Sequence, residues 1–195
     1  MAKALRADAE RSVQQILRAA EKVLAVNPNA SVEQIAEAAG LTRTTVHRRF
    51  ASRQAILDAL AIAAKSELAD AIADAHPDAA PPFVAVHRVT AAVLECKSRW
   101  RFTLGNPLAD TSAAMEIWDE INAGTLTLLQ RVQDAGYIAP DASLTWVRQV
   151  YYALMREAID ACPPAAEIDA VALATLVIDT LLHGVGGAPA DAAPR

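Results

Sequence analysis

Cysteine is almost missing from this chain: Cys96 and Cys162 are the only two in 195 residues. They are too few and too far apart for a paired CxxC metal motif or a secreted disulfide framework, so both are expected as buried free thiols. Glycine is scarce as well, with seven residues against many alanines, which disfavours a loop-rich or strand-rich architecture and favours long helices. Long apolar runs are lacking. The most apolar late stretch, Val171 to Val185, is interrupted by Asp179 and His183 and falls short of the roughly 20 residues that span a bilayer. The opening MAKALRADAERSVQQIL mixes charges with apolar residues and has no signal-peptide core. These absences predict a cytoplasmic chain without a membrane partner. No P-loop, GxSxG or HExxH occurs, and His47, His76, His87 and His183 are scattered without metal-ligand spacing. No enzyme activity, metal or cofactor is expected.

What the chain does have is 53% apolar residues and a divided charge. The apolar content and helical spacing give an all-α reading. The net charge of -5 hides nine Lys or Arg against five Asp or Glu in residues 1–53, and nine against eighteen in the remainder. A basic end on an acidic body suits docking to phosphate, because neutralised phosphates supply most sequence-independent affinity for nucleic acid.

Val13, Ile16, Leu17, Ala20 and Leu24 recur at helical spacing and predict a first helix over residues 8–25, ended by Asn27-Pro28-Asn29. Ser31-Val32-Glu33-Gln34 has the form of a capping box that starts a short second helix. Gly40 is suited to stop that helix in the left-handed conformation, Thr42 to cap a third helix, and Ser52 to cap a fourth that begins near Arg53. Three caps in about twenty residues define two short helices and a tight turn, the pattern of a helix-turn-helix. Further helices are predicted over 53–75, from Pro82 to the break at Gly105-Asn106-Pro107, over 111–135, 144–161 and 168–183. The tail from Gly184, rich in Gly, Ala and Pro, is expected to be disordered.

With Val46 at the centre of the buried side and about 100° per residue, Phe50 also turns inward, while Thr44 and Arg48 point out and Thr45 and His47 flank them. Such a face can enter the major groove, where Arg pairs with guanine and Thr meets a thymine methyl or a phosphate. Arg43, in the first turn, can reach a base or the backbone.

The segment ILRAAEKVLAVNPNASVEQIAEAAGLTRTTVHRRFASRQAIL, Ile16 to Leu57, resembles the N-terminal domain of the tetracycline-repressor (TetR) family. Its most specific part is IAEAAGLTRTTVHRRF, followed by a basic residue three positions after the Phe. The resemblance implies a homodimeric, ligand-responsive transcriptional regulator. It carries phosphate contacts to His47 and Arg53, where the family usually has tyrosine and lysine. It also implies a helix-turn-helix domain over 1–52, a helical effector-binding and dimerisation domain over 53–184, and a tail over 185–195.

The late helix over 168–183 is apolar on more than one side and must be buried on more than one side. Together with the resemblance, this points to a four-helix dimer interface formed with residues 144–161 and their symmetry mates. For a small organic effector, the polar and aromatic candidates are His87, Trp100, Trp118, Asn122, Arg148 and Tyr152, with Cys96, Arg101 and Arg156 nearby in sequence. The competing reading is a helical ligand-binding or protein-interaction module that has lost specific operator binding.

Overall fold

A computed structural model describes residues 2–105, 112–163 and 167–185, with side chains described from residue 8 onward. Among the described residues every regular element is a helix: α1 (Ala2–Val26), α2 (Val32–Ala38), α3 (Arg43–Arg49), α4 (Arg53–Asp74), α5 (Pro82–Arg99), α6 (Arg101–Gly105), α7 (Ser112–Asp134), α8 (Leu144–Asp160) and α9 (Ala170–His183). The all-α expectation holds, and most boundaries fall within two residues of those predicted. Helix α1 starts six residues early. The break expected at Gly105 is preceded by one at Trp100, which separates α5 from the short α6.

The helices form two compact units. The first holds residues 1–69 and 99–120, the second residues 70–98 and those from 121 onward. Helices α4 and α7 each run through both units. The tail beyond Val185 lies outside the described residues.

In the first unit, Ile16, Ala20 and Leu24 of α1, Ile35 of α2, Val46 of α3 and Ile56 and Leu60 of α4 are completely buried. Each such aliphatic side chain larger than alanine contributes about 1.5–3 kcal/mol by leaving water. Glu21, a buried carboxylate of this core, accepts from the backbone N–H of Phe102 at 2.7 Å and of Thr103 at 3.2 Å, and from the Thr103 hydroxyl. It thereby satisfies the otherwise unpaired donors at the start of α6. Burial pushes the Glu21 carboxyl above the ordinary carboxylate value, partly offset by these hydrogen bonds.

In the second unit, Val86, Thr90, Val93 and Leu94 of α5 are buried, as their shared helical face predicts. The Thr90 hydroxyl donates to the Val86 carbonyl at 2.6 Å, so the buried Tyr151 hydroxyl, 2.7 Å away, donates to Thr90. Helix α7 ends as its sequence requires: Gly136 takes φ +84°, and the N–H of Tyr137 reaches back to the Val132 carbonyl. Arg131 holds the chain before α5 by donating to the Pro77 and Ala80 carbonyls. One expectation fails locally: Cys162 is only part-buried, whereas Cys96 is buried.

Candidate nucleic-acid interface

Helices α2 and α3 are set by their caps. The Ser31 hydroxyl accepts from the Gln34 N–H while the Gln34 side chain accepts from the Ser31 N–H at 2.9 Å, completing the capping box. At the other end, Gly40 takes φ +64°, its N–H meets the Glu37 carbonyl, and the Leu41 N–H meets that of Ala36, both at 2.9 Å. This is the paired Schellman closure, and it turns the chain within two residues. Thr42 then accepts from the Thr45 N–H at 3.2 Å and starts α3. Ser52 accepts from the Ala55 N–H at 3.1 Å and starts α4.

On α3, Val46 is fully buried and Phe50, its C-cap, is buried, while Arg43, Thr44, His47 and Arg48 are exposed. Thr45 is half-buried, with its hydroxyl 2.9 Å from that of Thr42. The exposed set is therefore two guanidinium groups, a hydroxyl and an imidazole on one short helix anchored by one apolar residue at its middle. Donors in this arrangement match the acceptors of guanine and of phosphate. Between α1 and the end of α2 an open groove of about 790 Å³ is lined by Glu10, Arg11, Arg18 and Lys22, with Arg11 paired to Asp8 at 2.6 Å.

Arg43 is not a lone cation. Its Nε stands 2.9 Å from Glu33 Oε1 on α2 and donates to His47 Nε2 at 3.2 Å. Glu33 is held below the ordinary carboxylate range, chiefly by hydrogen bonding to its own backbone N–H and to Ser31, with further help from Arg43 and His47. Arg53 is part-buried and turns its guanidinium inward: Nε donates to the Ala30 carbonyl at 2.9 Å and Nη2 to that of Pro28. It ties the α1–α2 connection to the start of α4. Sequence inspection missed Glu33 as a partner of α3, and it missed Arg49, whose Nε is buried without a hydrogen-bond partner. The available signal for Glu33 was its place in the first turn of α2, but its partner depends on how α2 crosses α3.

The six candidate effector residues fall into separate local settings. In the first unit, Trp100 Nε1 donates to Glu67 Oε2 at 2.9 Å, Glu67 also pairs with Arg99 at 3.0 Å, and Lys65 Nζ lies 5.9 Å from the centre of the Trp118 ring. In the second unit, Tyr152 lies within hydrogen-bond distance of Asn122 Oδ1 at 3.1 Å and Thr125 Oγ1 at 3.0 Å. The Arg148 Nε is buried with no hydrogen-bond partner, and its charge favours the ionised form of Tyr152 against the larger opposing effect of burial. His87 lies 2.9 Å from the Thr175 hydroxyl on α9. Asn122, Arg148 and Tyr152 are thus brought together, Trp100 and Trp118 each have an ionic neighbour, and His87 joins α5 to α9. Among the described residues no helix is long and apolar enough to cross a membrane.

With this geometry in view, the likeness to known proteins is specific. The profile of bacterial regulatory proteins of the tetR family matches residues 16–60. The HTH-type transcriptional repressor LfrR of Mycolicibacterium smegmatis is 34% identical over 156 residues, covering 78% of this chain and 79% of LfrR. The crystal structure of LfrR from Mycobacterium smegmatis in complex with proflavine superposes with a TM-score of 0.72 at 29% identity, covering 92% of this chain and 98% of that one. PfmR of Thermus thermophilus shares the fold, with a TM-score of 0.74 at 20% identity over 88% of this chain and 99% of that one. A third of the residues are shared with LfrR over more than three quarters of both chains, and the helix-turn-helix lies where the family profile matches: the chain belongs to the TetR family of bacterial transcriptional regulators.

Proposed function

We propose that this regulator represses transcription by binding a palindromic operator as a homodimer, and that a small organic effector releases it. The observation that carries the reading is α3: a short capped helix with Val46 buried and Arg43, Thr44, His47 and Arg48 exposed. In this reading Arg48 and Thr44 meet base edges. Arg43, Thr45 and His47 serve the groove and its phosphates, and Arg53 adds a phosphate contact with the N–H groups it does not spend on carbonyls. Residues 1–52 act as the DNA-binding head, and residues 53–184 as the effector-binding and dimerisation body.

The dimer is supported by α8 and α9, which pack on each other while leaving Trp146, Val171 and Leu176 more than half exposed. Exposed apolar side chains on paired helices suit a self-complementary two-fold interface. A two-fold pair of α3 helices reads half-sites one DNA turn apart, roughly 34 Å. The effector is supported by the proflavine complex of LfrR and by Trp100 and Trp118, aromatic surfaces beside charged Glu67 and Lys65. The effector would act by its preference for one arrangement of α4, which carries the chain from head to body; such coupling is typically about 1–3 kcal/mol.

The test is a gel shift against the DNA flanking the protein's own gene, with Arg48→Ala as control. A specific shift lost in the variant supports the reading. Equal weak binding of both proteins to every duplex, with a steep salt dependence, overturns it.

A further inference from the structure

We propose that Glu33 is a positioning residue for DNA reading: by holding the Arg43 guanidinium, it directs that cation to one place in the groove and withholds it from arbitrary phosphates. The inference rests on the DNA-binding reading above.

Arg43 is two-thirds exposed and Glu33 about half exposed, with side-chain values of 66% and 49%, and their ion pair spans α2 and α3 at 2.9 Å. An exposed pair of this kind adds little to folding, so its consequence lies in what it does to Arg43. The same Nε donates to His47 Nε2 one turn along α3. The single Nε–H of the guanidinium is therefore shared between two acceptors, one on each helix of the motif. The two Nη groups make no hydrogen bond to any described residue, and their four N–H donors remain for DNA. A guanidinium held at its Nε presents its two Nη groups in a set direction, as a bidentate contact with guanine requires. A free arginine would instead add one more mobile charge for any phosphate it met.

The carboxylate also acts as a charge. Glu33 is ionised at neutral pH, and its position on the exposed surface of the motif repels phosphate wherever Arg43 does not intervene. Like charges across an interface suppress wrong encounters more than they weaken the right one. Both effects raise the ratio of specific to nonspecific binding.

The test begins with a site selected by the full-length wild-type protein from a pool of random duplexes. Affinities for that duplex and for its scrambled counterpart are then measured by fluorescence anisotropy over a series of salt concentrations. The proteins are wild type, Glu33→Gln, Glu33→Asp, Arg43→Gln and the double variant Glu33→Gln/Arg43→Gln. Glu33→Gln is expected to bind the scrambled duplex more tightly, with a log–log salt slope steeper by about 0.9, the increment of one further phosphate contact. Its specificity ratio should fall roughly five- to tenfold, the lower end of what one oriented arginine contact supplies. Glu33→Asp keeps the charge but shortens the reach, and should lose part of the ratio with the slope unchanged. In the Arg43→Gln background the Glu33→Gln change should lower the ratio distinctly less, because only the charge of the carboxylate is then lost.

An unchanged ratio in Glu33→Gln overturns the proposal. So does an equal loss with and without Arg43, which would make Glu33 a general charge effect. Should Glu33→Gln fail to fold, the Glu33→Asp ratio decides alone: a ratio equal to that of wild type overturns the proposal. Failure of the wild type to select any sequence would instead overturn the operator reading itself.

Discussion

The carboxylate of Glu21 on α1 caps α6 by accepting from both the backbone N–H and the hydroxyl of Thr103. Its third partner, the Phe102 N–H, completes a buried clamp between two helices that stand eighty residues apart in the chain. The raised pKa of Glu21 sets the sign of a pH effect. A carboxyl whose folded value lies above its unfolded value binds protons more readily in the folded state. Its contribution is full below the ordinary value of 4.5 and is lost as the pH rises through the folded value. Relative to Glu21→Gln, the wild type is expected to lose stability over that rise. Urea midpoints of both proteins at a series of pH values measure it, and two parallel curves would refute it.

Thr42 caps α3 through the Thr45 N–H. Thr42→Ala removes the acceptor and should cost about 1 kcal/mol of stability, together with a loss of DNA affinity, since the first turn of α3 then frays. Gly40→Ala meets no atom within 4 Å, so its cost should be that of the left-handed backbone alone, about 1–2 kcal/mol. Thermal melts with DNA titrations in parallel separate the two effects. A Thr42→Ala protein with unaltered melting would show that the cap contributes nothing.

Arg53 donates from two different nitrogens to the carbonyls of Ala30 and Pro28. Lysine supplies a charge but not that fork. Arg53→Lys should therefore lower stability by about 1–2 kcal/mol while retaining most of its attraction for phosphate. Equal unfolding midpoints for the two proteins would mean that the carbonyl bonds are not sustained in solution.

Leu176 on α9 is 59% exposed on a helix whose Ala174, Val177 and Ile178 are buried. Leu176→Glu leaves that internal face alone and places a charge on the surface assigned to the two-fold contact. Sedimentation should then find monomers at concentrations where the wild type is dimeric, and operator affinity should fall with the loss of the second half-site. A variant that stays dimeric would move the interface elsewhere.

How much of this was legible in the residues follows from the range of the interactions involved. The Ser31–Gln34 box, the left-handed Gly40, the Thr42 and Ser52 caps and the outward turn of Arg48 all depend on neighbours within four residues. Local propensity and helical periodicity suffice for such features, and the sequence alone determined them. It also determined the all-α class and the basic first quarter, which are sums over composition. The partners of Glu33, Arg53 and Glu21 lie 10, 23 to 25, and about 81 residues away. Only the tertiary structure decided them, because a side chain's reach across helices is set by crossing angles that no periodicity encodes. The same holds for α6: its five residues are too short to declare themselves by pattern, and the buried carboxylate that satisfies its first donors comes from another helix.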